Sequence, residues 1–212
     1  MVLDESSQNG RWDFKDVIPM FRMAGQKLGI LGCGRIGSRV YQKLKSFGFE
    51  FVICDPYLSE KRKHELNIEL VDKETLFRES DFITIHTPLT QETRYMVNRD
   101  TLALMKPTAY LVNTARGGMV DVDALAEALR KGVIAGAGID VYETEPPRPD
   151  YPLFGLPNAI LTPHLAWYSE DAGWKIRETI VLEIERFAAG LPPRYVANNV
   201  SAPRMPAETG RS

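Results

Sequence analysis

The sequence of 212 residues lacks the features that would associate it with a membrane or a nucleic acid. No apolar run approaches the roughly 20 residues that a membrane-spanning helix needs. Neither sign of charge predominates, because the chain has 26 Lys and Arg and 28 Asp and Glu, which give a net charge of −2. The densest basic run, at 61–63, is typical of a solvated helix face. The sequence therefore predicts no membrane association and no direct binding to nucleic acid.

The chain is also poor in cysteine and has no apolar segment near its first residue. Its two cysteines, Cys33 and Cys54, are too few for a disulfide framework and are predicted to be buried thiols. Residues 1–10 are polar and acidic, unlike a secretory signal peptide. Both observations favour a reducing compartment, and we expect a cytoplasmic protein.

What the sequence does contain, from residue 25 onwards, is a regular alternation of apolar runs and amphipathic stretches. The apolar runs predict strands at 28–31, 50–54, 69–71, 82–86, 109–113, 133–139 and 159–162. Helical patterns lie between them at 35–47, 59–66, 73–79, 98–105, 121–131 and 169–189. This alternation predicts an α/β fold with a doubly wound parallel sheet. We expect a leader at 1–24, one α/β domain at 25–190, and an extended or disordered tail at 191–212.

Several helix ends are marked by residues that favour capping. Asp121 and Ser169 are predicted N-caps, and Gly132 is a predicted C-terminal stop. The last helical stretch has apolar residues spaced mostly by three or four, which predicts a surface that faces the core. These residues are Trp174, Ile176, Ile180, Val181, Ile184 and Phe187.

Gly32, Gly34 and Gly37 form a Gly-x-Gly-x-x-Gly turn between the first apolar run and a helical pattern. Asp55 ends the next apolar run, about 20 residues further on, which is the context of a dinucleotide site. The first glycine allows a tight turn, the second lets the backbone approach a pyrophosphate, and the third lets the helix pack closely on the strand. Asp55 would bind the ribose hydroxyls and repel a 2′-phosphate, so it favours NAD over NADP. The alternative is a glycine-rich turn with no ligand.

Ionisable side chains also follow the later strands, at the sheet edge where a nucleotide would lie. Arg116, Glu143, Glu145 and His164 each come after a predicted strand. A histidine can transfer a hydroxyl proton, a carboxylate beside it can hold its tautomer, and an arginine can bind a substrate carboxylate. Spacing alone leaves open which glutamate pairs with the histidine and whether these residues are structural. Of the other two histidines, His64 is predicted to be exposed and His86 is predicted to be structural.

Longer blocks at these residues resemble the NAD-binding domain of the D-isomer-specific 2-hydroxyacid dehydrogenases. They are LVNTARGGMVD at 111–121, AGIDVYETEP at 137–146 and LTPH at 161–164. AWYS at 166–169 and CDPY at 54–57 resemble the branch that contains the C-terminal-binding-protein corepressors and their bacterial relatives. The resemblance extends from about residue 25 to about residue 190 and implies a Rossmann-type fold.

The resemblance also implies roles for individual residues. Arg116 would bind the substrate carboxylate, His164 would be the general acid/base, and Glu145 would pair with His164. The implied cofactor is NAD, the implied substrate is a small 2-hydroxy or 2-oxo acid, and no metal is implied. The residues implied to line the NAD site are Gly32, Gly34, Arg35, Ile36, Gly37, Asp55, Thr87, Pro88, Thr93, Thr114, Ala115, Arg116, Asp140, His164 and Trp167.

The sequence departs from the family pattern at its start. Family members have a substrate-binding domain, on the order of 100 residues, mainly ahead of the NAD domain. Here about 24 residues precede the first predicted strand, and residues 10–13, Gly-Arg-Trp-Asp, resemble the family's interdomain segment. We therefore expect most of the substrate domain to be missing, and this chain alone to bind NAD with little or no turnover.

The resemblance implies a partner as well as a cofactor. Family members dimerise through the NAD domain, so a homodimer is implied. The alternative function is an NAD-responsive dimerisation or regulatory module of the corepressor type, without turnover.

Overall fold

The structure, a computed structural model, describes residues 7–12, 15 and 18–194. Part of the predicted leader and most of the predicted tail lie outside the described residues, so both remain predictions. The chain divides into two compact units, one ending at His164 and the other beginning at Leu165.

A six-stranded sheet forms the centre of the first unit. Its strands are β1 (Lys27–Leu31), β2 (Glu50–Cys54), β3 (Phe82–Ile85), β4 (Tyr110–Asn113), β5 (Gly136–Ile139) and β6 (Ala159–Leu161). Every neighbouring pair is parallel, and the strand order is β2-β1-β3-β4-β5-β6. The order reverses beside β1, because the chain goes from β1 outward to β2 and then returns to β3 on the other side. Such a switch point creates a crevice at the carboxyl ends of the strands.

Helices cover both faces of this sheet. They are α1 (Gly37–Leu44), α2 (Glu60–Leu66), α3 (Lys73–Glu79), α4 (Arg99–Leu104) and α5 (Val122–Arg130). Alternate residues of a strand point to opposite faces. In β1, Ile30 joins a cluster with α1 and α2, whereas Leu31 joins the larger cluster with α3, α4 and α5. The predicted doubly wound α/β fold is confirmed.

The predicted capping residues act as the sequence indicated. The Asp121 side chain accepts a hydrogen bond from the backbone N–H of Ala124, and Gly132 follows α5 with φ +66°. The positive φ suits glycine, which has no Cβ to clash in the left-handed region. In the second unit the Ser169 side chain accepts from the N–H of Ala172 at the start of α6 (Glu170–Ala188).

Two of the predicted strands are wrong. The apolar run at 69–71 is not a strand of the sheet, because only Leu70 forms a bridge, with Ile53. The predicted strand at 133–139 begins only at Gly136, because residues 131–135 complete the turn after α5. A short apolar run does not by itself determine how many of its backbone groups form hydrogen bonds with a neighbouring strand.

The apolar stripe of α6 is not a core surface in this structure. Its six residues are between 49 and 66% exposed. The described part of the second unit contains one helix and no second layer of secondary structure. An amphipathic helix buries its stripe only against another element, so the described part of this unit cannot bury it alone. Within the described residues, no helix is both long and apolar enough to cross a bilayer.

Candidate functional site

The glycine turn after β1 has the geometry that its three glycines predict. Gly32 has φ +92°, and a Cβ at Gly37 would lie 2.0 Å from the carbonyl oxygen of Gly32. Both positions therefore require glycine within the protein itself. A Cβ at Gly34, in contrast, would meet nothing within 4 Å. The space beside Gly34 is open, as expected where a ligand approaches the backbone.

The helix that follows this turn begins without a capping side chain. No side chain caps α1 at Ile36, and no acidic residue lies in its first turn. The other helices described above each begin with a side chain that accepts a backbone N–H: Ser59, Asp72, Asn98, Asp121 and Ser169. The positive dipole end of α1, which no side chain of the protein caps, is thus available to an anion such as a pyrophosphate.

Asp55 connects the end of β2 to the glycine turn. Its Oδ2 accepts the backbone N–H of Cys33 at 2.8 Å, and its Oδ1 accepts that of Tyr57 at 3.0 Å. Each carboxylate oxygen has a second lone pair, so ribose hydroxyls can still bind. Cys33 and Cys54 are free buried thiols, as predicted, and burial raises the pKa of both.

A cleft of about 1100 Å³ lies at the carboxyl ends of β1, β2 and β3. Its lining includes Gly32, Gly34 and Asp55 together with the loop at 87–93. Within that loop the Thr93 hydroxyl donates to the carbonyl of Pro88 at 2.7 Å and accepts the N–H of Thr90. Thr93 therefore shapes the loop from within. Of the residues predicted to line this part of the site, Thr87 and Pro88 also line the cleft, whereas Arg35 and Ile36 are exposed beside it.

Arg116 lies in a turn organised by Asn113, a residue that the sequence analysis did not select. Buried Asn113 accepts the N–H of Ala115 and donates to the carbonyl of Arg116, both at 3.0 Å. A Cβ at Gly117 would lie 2.0 Å from the backbone of Tyr142, so this turn packs directly on the chain that follows β5. The Asn-x-x-Arg spacing at a strand end is a local turn signal that could have identified Asn113.

His164 and Glu145 are brought together across 19 residues of sequence. Nδ1 of His164 lies 2.8 Å from Oε2 of Glu145, and Oε1 accepts the backbone N–H of Tyr142 at 3.0 Å. The Tyr142 N–H, the His164 ring and the nearby positive charge of Arg116 hold the pKa of the Glu145 carboxyl below its usual value. Glu143 instead accepts hydrogen bonds from Arg94 and Tyr95.

The remaining predicted residues divide between the two units. Asp140, at the end of β5, is buried and accepts a hydrogen bond from the Thr162 hydroxyl. Thr114 and Ala115 are half-buried beside Arg116. Trp167 belongs to the second unit, where its ring packs edge-on against Tyr168. Among the described residues, no cluster of His, Cys, Asp and Glu could hold a metal ion.

The fold and the cleft define the class of this protein, which is a Rossmann-type dinucleotide-binding domain. The family model described as the NAD-binding domain of the D-isomer-specific 2-hydroxyacid dehydrogenases matches residues 2–166. The chain belongs to this family, and its cofactor is NAD. The open space at Gly34, the uncapped start of α1 and the carboxylate of Asp55 fit the pyrophosphate and ribose of that cofactor.

Individual relatives agree with this assignment. A glyoxylate reductase from Korarchaeum cryptofilum is 44% identical over 183 residues, which cover 86% of this chain and 55% of the relative. A D-3-phosphoglycerate dehydrogenase from Methanocaldococcus jannaschii is 41% identical over 208 residues, which cover 96% of this chain and 38% of the relative. The chain thus spans about half the length, or less, of these curated relatives.

A solved structure shows the same fold. The crystal structure of a D-lactate dehydrogenase from Aquifex aeolicus, complexed with NAD and lactic acid, is similar with a TM-score of 0.80 at 33% identity. The match covers 89% of this chain and 61% of that chain.

Proposed function

We propose that this chain is the cofactor-binding part of an enzyme that transfers hydride between NAD(H) and a small 2-hydroxy or 2-oxo acid. The observation that carries the proposal is the His164–Glu145 hydrogen bond at the carboxyl edge of the sheet, in the unit that contains the cofactor cleft. The relatives named above are a reductase and two dehydrogenases, which favours this function over the regulatory alternative.

His164 is the proposed general acid/base. Glu145 is ionised at neutral pH, since its pKa is lowered, and it therefore accepts the proton on Nδ1 of the ring. Nε2 is then the nitrogen that exchanges a proton with the substrate oxygen. Glu145 accepts the Tyr142 N–H as well, so the carboxylate that orients the ring is itself held by backbone.

Arg116 is proposed to bind the substrate carboxylate. Its guanidinium is exposed, and its fork of N–H donors matches a carboxylate. Asn113 and the tight packing at Gly117 hold the turn from which it extends. Bound NAD supplies the hydride acceptor or donor of the reaction. The proposed NAD contacts are residues that the resemblance implies, with Asp55 at the ribose and with Thr114 and Asp140 proposed for the nicotinamide end.

The test is reduction of 2-oxo acids by the natural protein that contains this chain, followed through NADH absorbance. Glyoxylate and pyruvate form the first panel, and 3-phosphoglycerate with NAD tests the reverse direction; these compounds are chosen from the names of the relatives. We expect His164→Gln to lower kcat at least about a hundredfold, the size of one general acid/base contribution. His64→Gln is the matched control, because His64 is exposed on α2. Equal rates for the two variants would contradict the assignment.

We also propose that the protein forms a homodimer through this domain and works in the cytoplasm. The support is the resemblance to a family that dimerises in this way and, for the compartment, the two reduced, buried cysteines. Sedimentation with and without NAD tests the assembly. A monomer under both conditions would contradict the dimer, and a dimer that forms only with NAD would favour the regulatory alternative.

A further inference from the structure

Two loops are joined over the glycine turn by a single pair of side chains. Tyr57 lies in the loop after β2 and Glu92 in the loop after β3, and both line the cofactor cleft. The Tyr57 hydroxyl donates a hydrogen bond to Oε2 of Glu92. Because β1 lies between β2 and β3 in the sheet, this bond passes over the carboxyl end of β1, where the glycine turn begins.

Tyr57 also contacts Asp55, the acid that follows β2. Its backbone N–H donates to Oδ1 of Asp55 at 3.0 Å, while its phenol holds Glu92. Asp55 and Glu92 are the two acidic residues in the described lining of the cleft. One residue thus ties together both carboxylates at the end of the cleft where Asp55 meets the adenosine ribose.

The same lining also contains two cations. Arg62 binds the carboxylate of Glu65 at 2.9 Å and donates to the Ser38 hydroxyl at 3.3 Å, so its charge is already paired. Lys73 is the other cation of the lining. When Glu65, the partner of Arg62 outside the lining, is included, these side chains carry three negative charges against two positive charges. Removing the charge of Glu92 would balance them.

We propose that Tyr57 and Glu92 form a second cofactor-specificity element, in addition to Asp55. The Tyr57 hydroxyl keeps the Glu92 carboxylate at the adenosine end of the cleft, where a 2′-phosphate would bring further negative charge. NADP(H) is then disfavoured by two carboxylates, one on each side of the glycine turn. This inference concerns cofactor binding alone and does not depend on the proposed hydride transfer.

Binding of NADH and NADPH to the full chain, measured by fluorescence titration, tests the proposal without any turnover. Glu92→Gln keeps the shape of the side chain and removes its charge. We expect it to lower the Kd for NADPH by about three- to tenfold, since like charges several ångströms apart in a partly solvated cleft repel by that much. The Kd for NADH should change by less than about twofold.

Glu79→Gln is the matched control for the loss of one negative charge. Glu79 pairs with Lys27 at the first residue of β1, at the opposite edge of the sheet from the cleft. It should leave both affinities unchanged. Tyr57→Phe keeps the ring and removes the donor, and we expect a smaller shift towards NADPH because Glu92 stays charged but is no longer held.

Two results would overturn the proposal. The first is an unchanged NADPH-to-NADH affinity ratio in Glu92→Gln, whether neither affinity changes or both change equally. The second is the same ratio shift in Glu79→Gln, which would reflect net charge instead of position. If Glu92→Gln binds neither cofactor because it does not fold, Tyr57→Phe decides, and an unchanged ratio in that variant overturns the proposal.

Discussion

The imidazole of His164 and the carboxylate of Glu145 are joined at 2.8 Å, and the second oxygen of that carboxylate is held by the backbone N–H of Tyr142. The backbone N–H of His164 in turn donates to the carbonyl of Asp140 at 2.8 Å. His164 has φ +54°, an uncommon conformation for a residue with a Cβ. Backbone and side-chain contacts together thus aim the ring from the ends of β5 and β6.

The Glu145 carboxylate should stabilise the folded protein in a pH-dependent way. Its folded-state pKa lies below the usual 4.5, so its contribution is present above that value and is lost as pH falls through the lower folded pKa. We expect Glu145→Gln to lower the free energy of unfolding by about 0.5–1 kcal/mol at pH 7, a value limited by solvent exposure. The difference should shrink as pH falls below 4.5 and through the folded pKa. Urea denaturation at pH 7 and across the acidic range measures it, and a difference that stays constant would contradict this account.

The glycines at 34 and 37 should respond differently to the same substitution. In Gly37→Ala the new Cβ would meet the carbonyl of Gly32 at 2.0 Å, so the fold is expected to lose roughly 2 kcal/mol or more. In Gly34→Ala the Cβ meets no protein atom within 4 Å, so stability should change by less than about 0.5 kcal/mol while the affinity for NADH falls. Thermal unfolding and NADH titration of both variants test this. Unimpaired NADH binding by Gly34→Ala would argue against pyrophosphate approach at this turn.

Asp55 should determine both cofactor affinity and cofactor choice. Asp55→Ala removes a charged acceptor of ribose hydroxyls, and we expect the Kd for NADH to rise about tenfold or more. The affinity for NADPH should fall less, because the repulsion of its 2′-phosphate is also removed. The ratio of the two affinities is the useful measurement, since any unfolded fraction affects both equally. If wild-type protein binds the two cofactors with equal affinity, the role assigned to Asp55 is wrong.

His86, half-buried at the end of β3, should make the fold sensitive to mild acid. Burial lowers the pKa of His86 from 6.5 to about 4, so the ring stays neutral in the fold while the unfolded chain takes up a proton. Stability should therefore fall as pH drops from about 6.5 to about 4, by at most about 3 kcal/mol. His86→Gln should flatten this part of the stability curve, whereas His64→Gln, at an exposed position, should not. Parallel curves for wild type and His86→Gln would refute the assignment.

Local rules explain why most of the fold could be predicted. The strands at 50–54 and 159–161 and the helix at 73–79 lie within a residue or two of their predicted bounds. Asp121 marks the start of α5 and Gly132 follows its end, as predicted, because capping depends on a few adjacent backbone groups. The prediction of a strand at 69–71 is wrong because strand pairing is not a local property. Whether this run pairs with β2 depends on how the chain is placed beside that strand. Three residues of sequence do not determine that placement.

The sequence by itself determined that the chain is a parallel α/β domain with a dinucleotide turn, because these features follow from periodicity and from the steric demands of glycine. The choice of Glu145 over Glu143 as the partner of His164 was open on spacing alone and only implied by resemblance. The tertiary structure decided it, since Arg94 and Tyr95, almost fifty residues earlier, bind Glu143. It also placed Glu92 beside Tyr57 above the glycine turn. Contacts between loops of distant strands depend on strand order, and strand order exists only in the folded sheet.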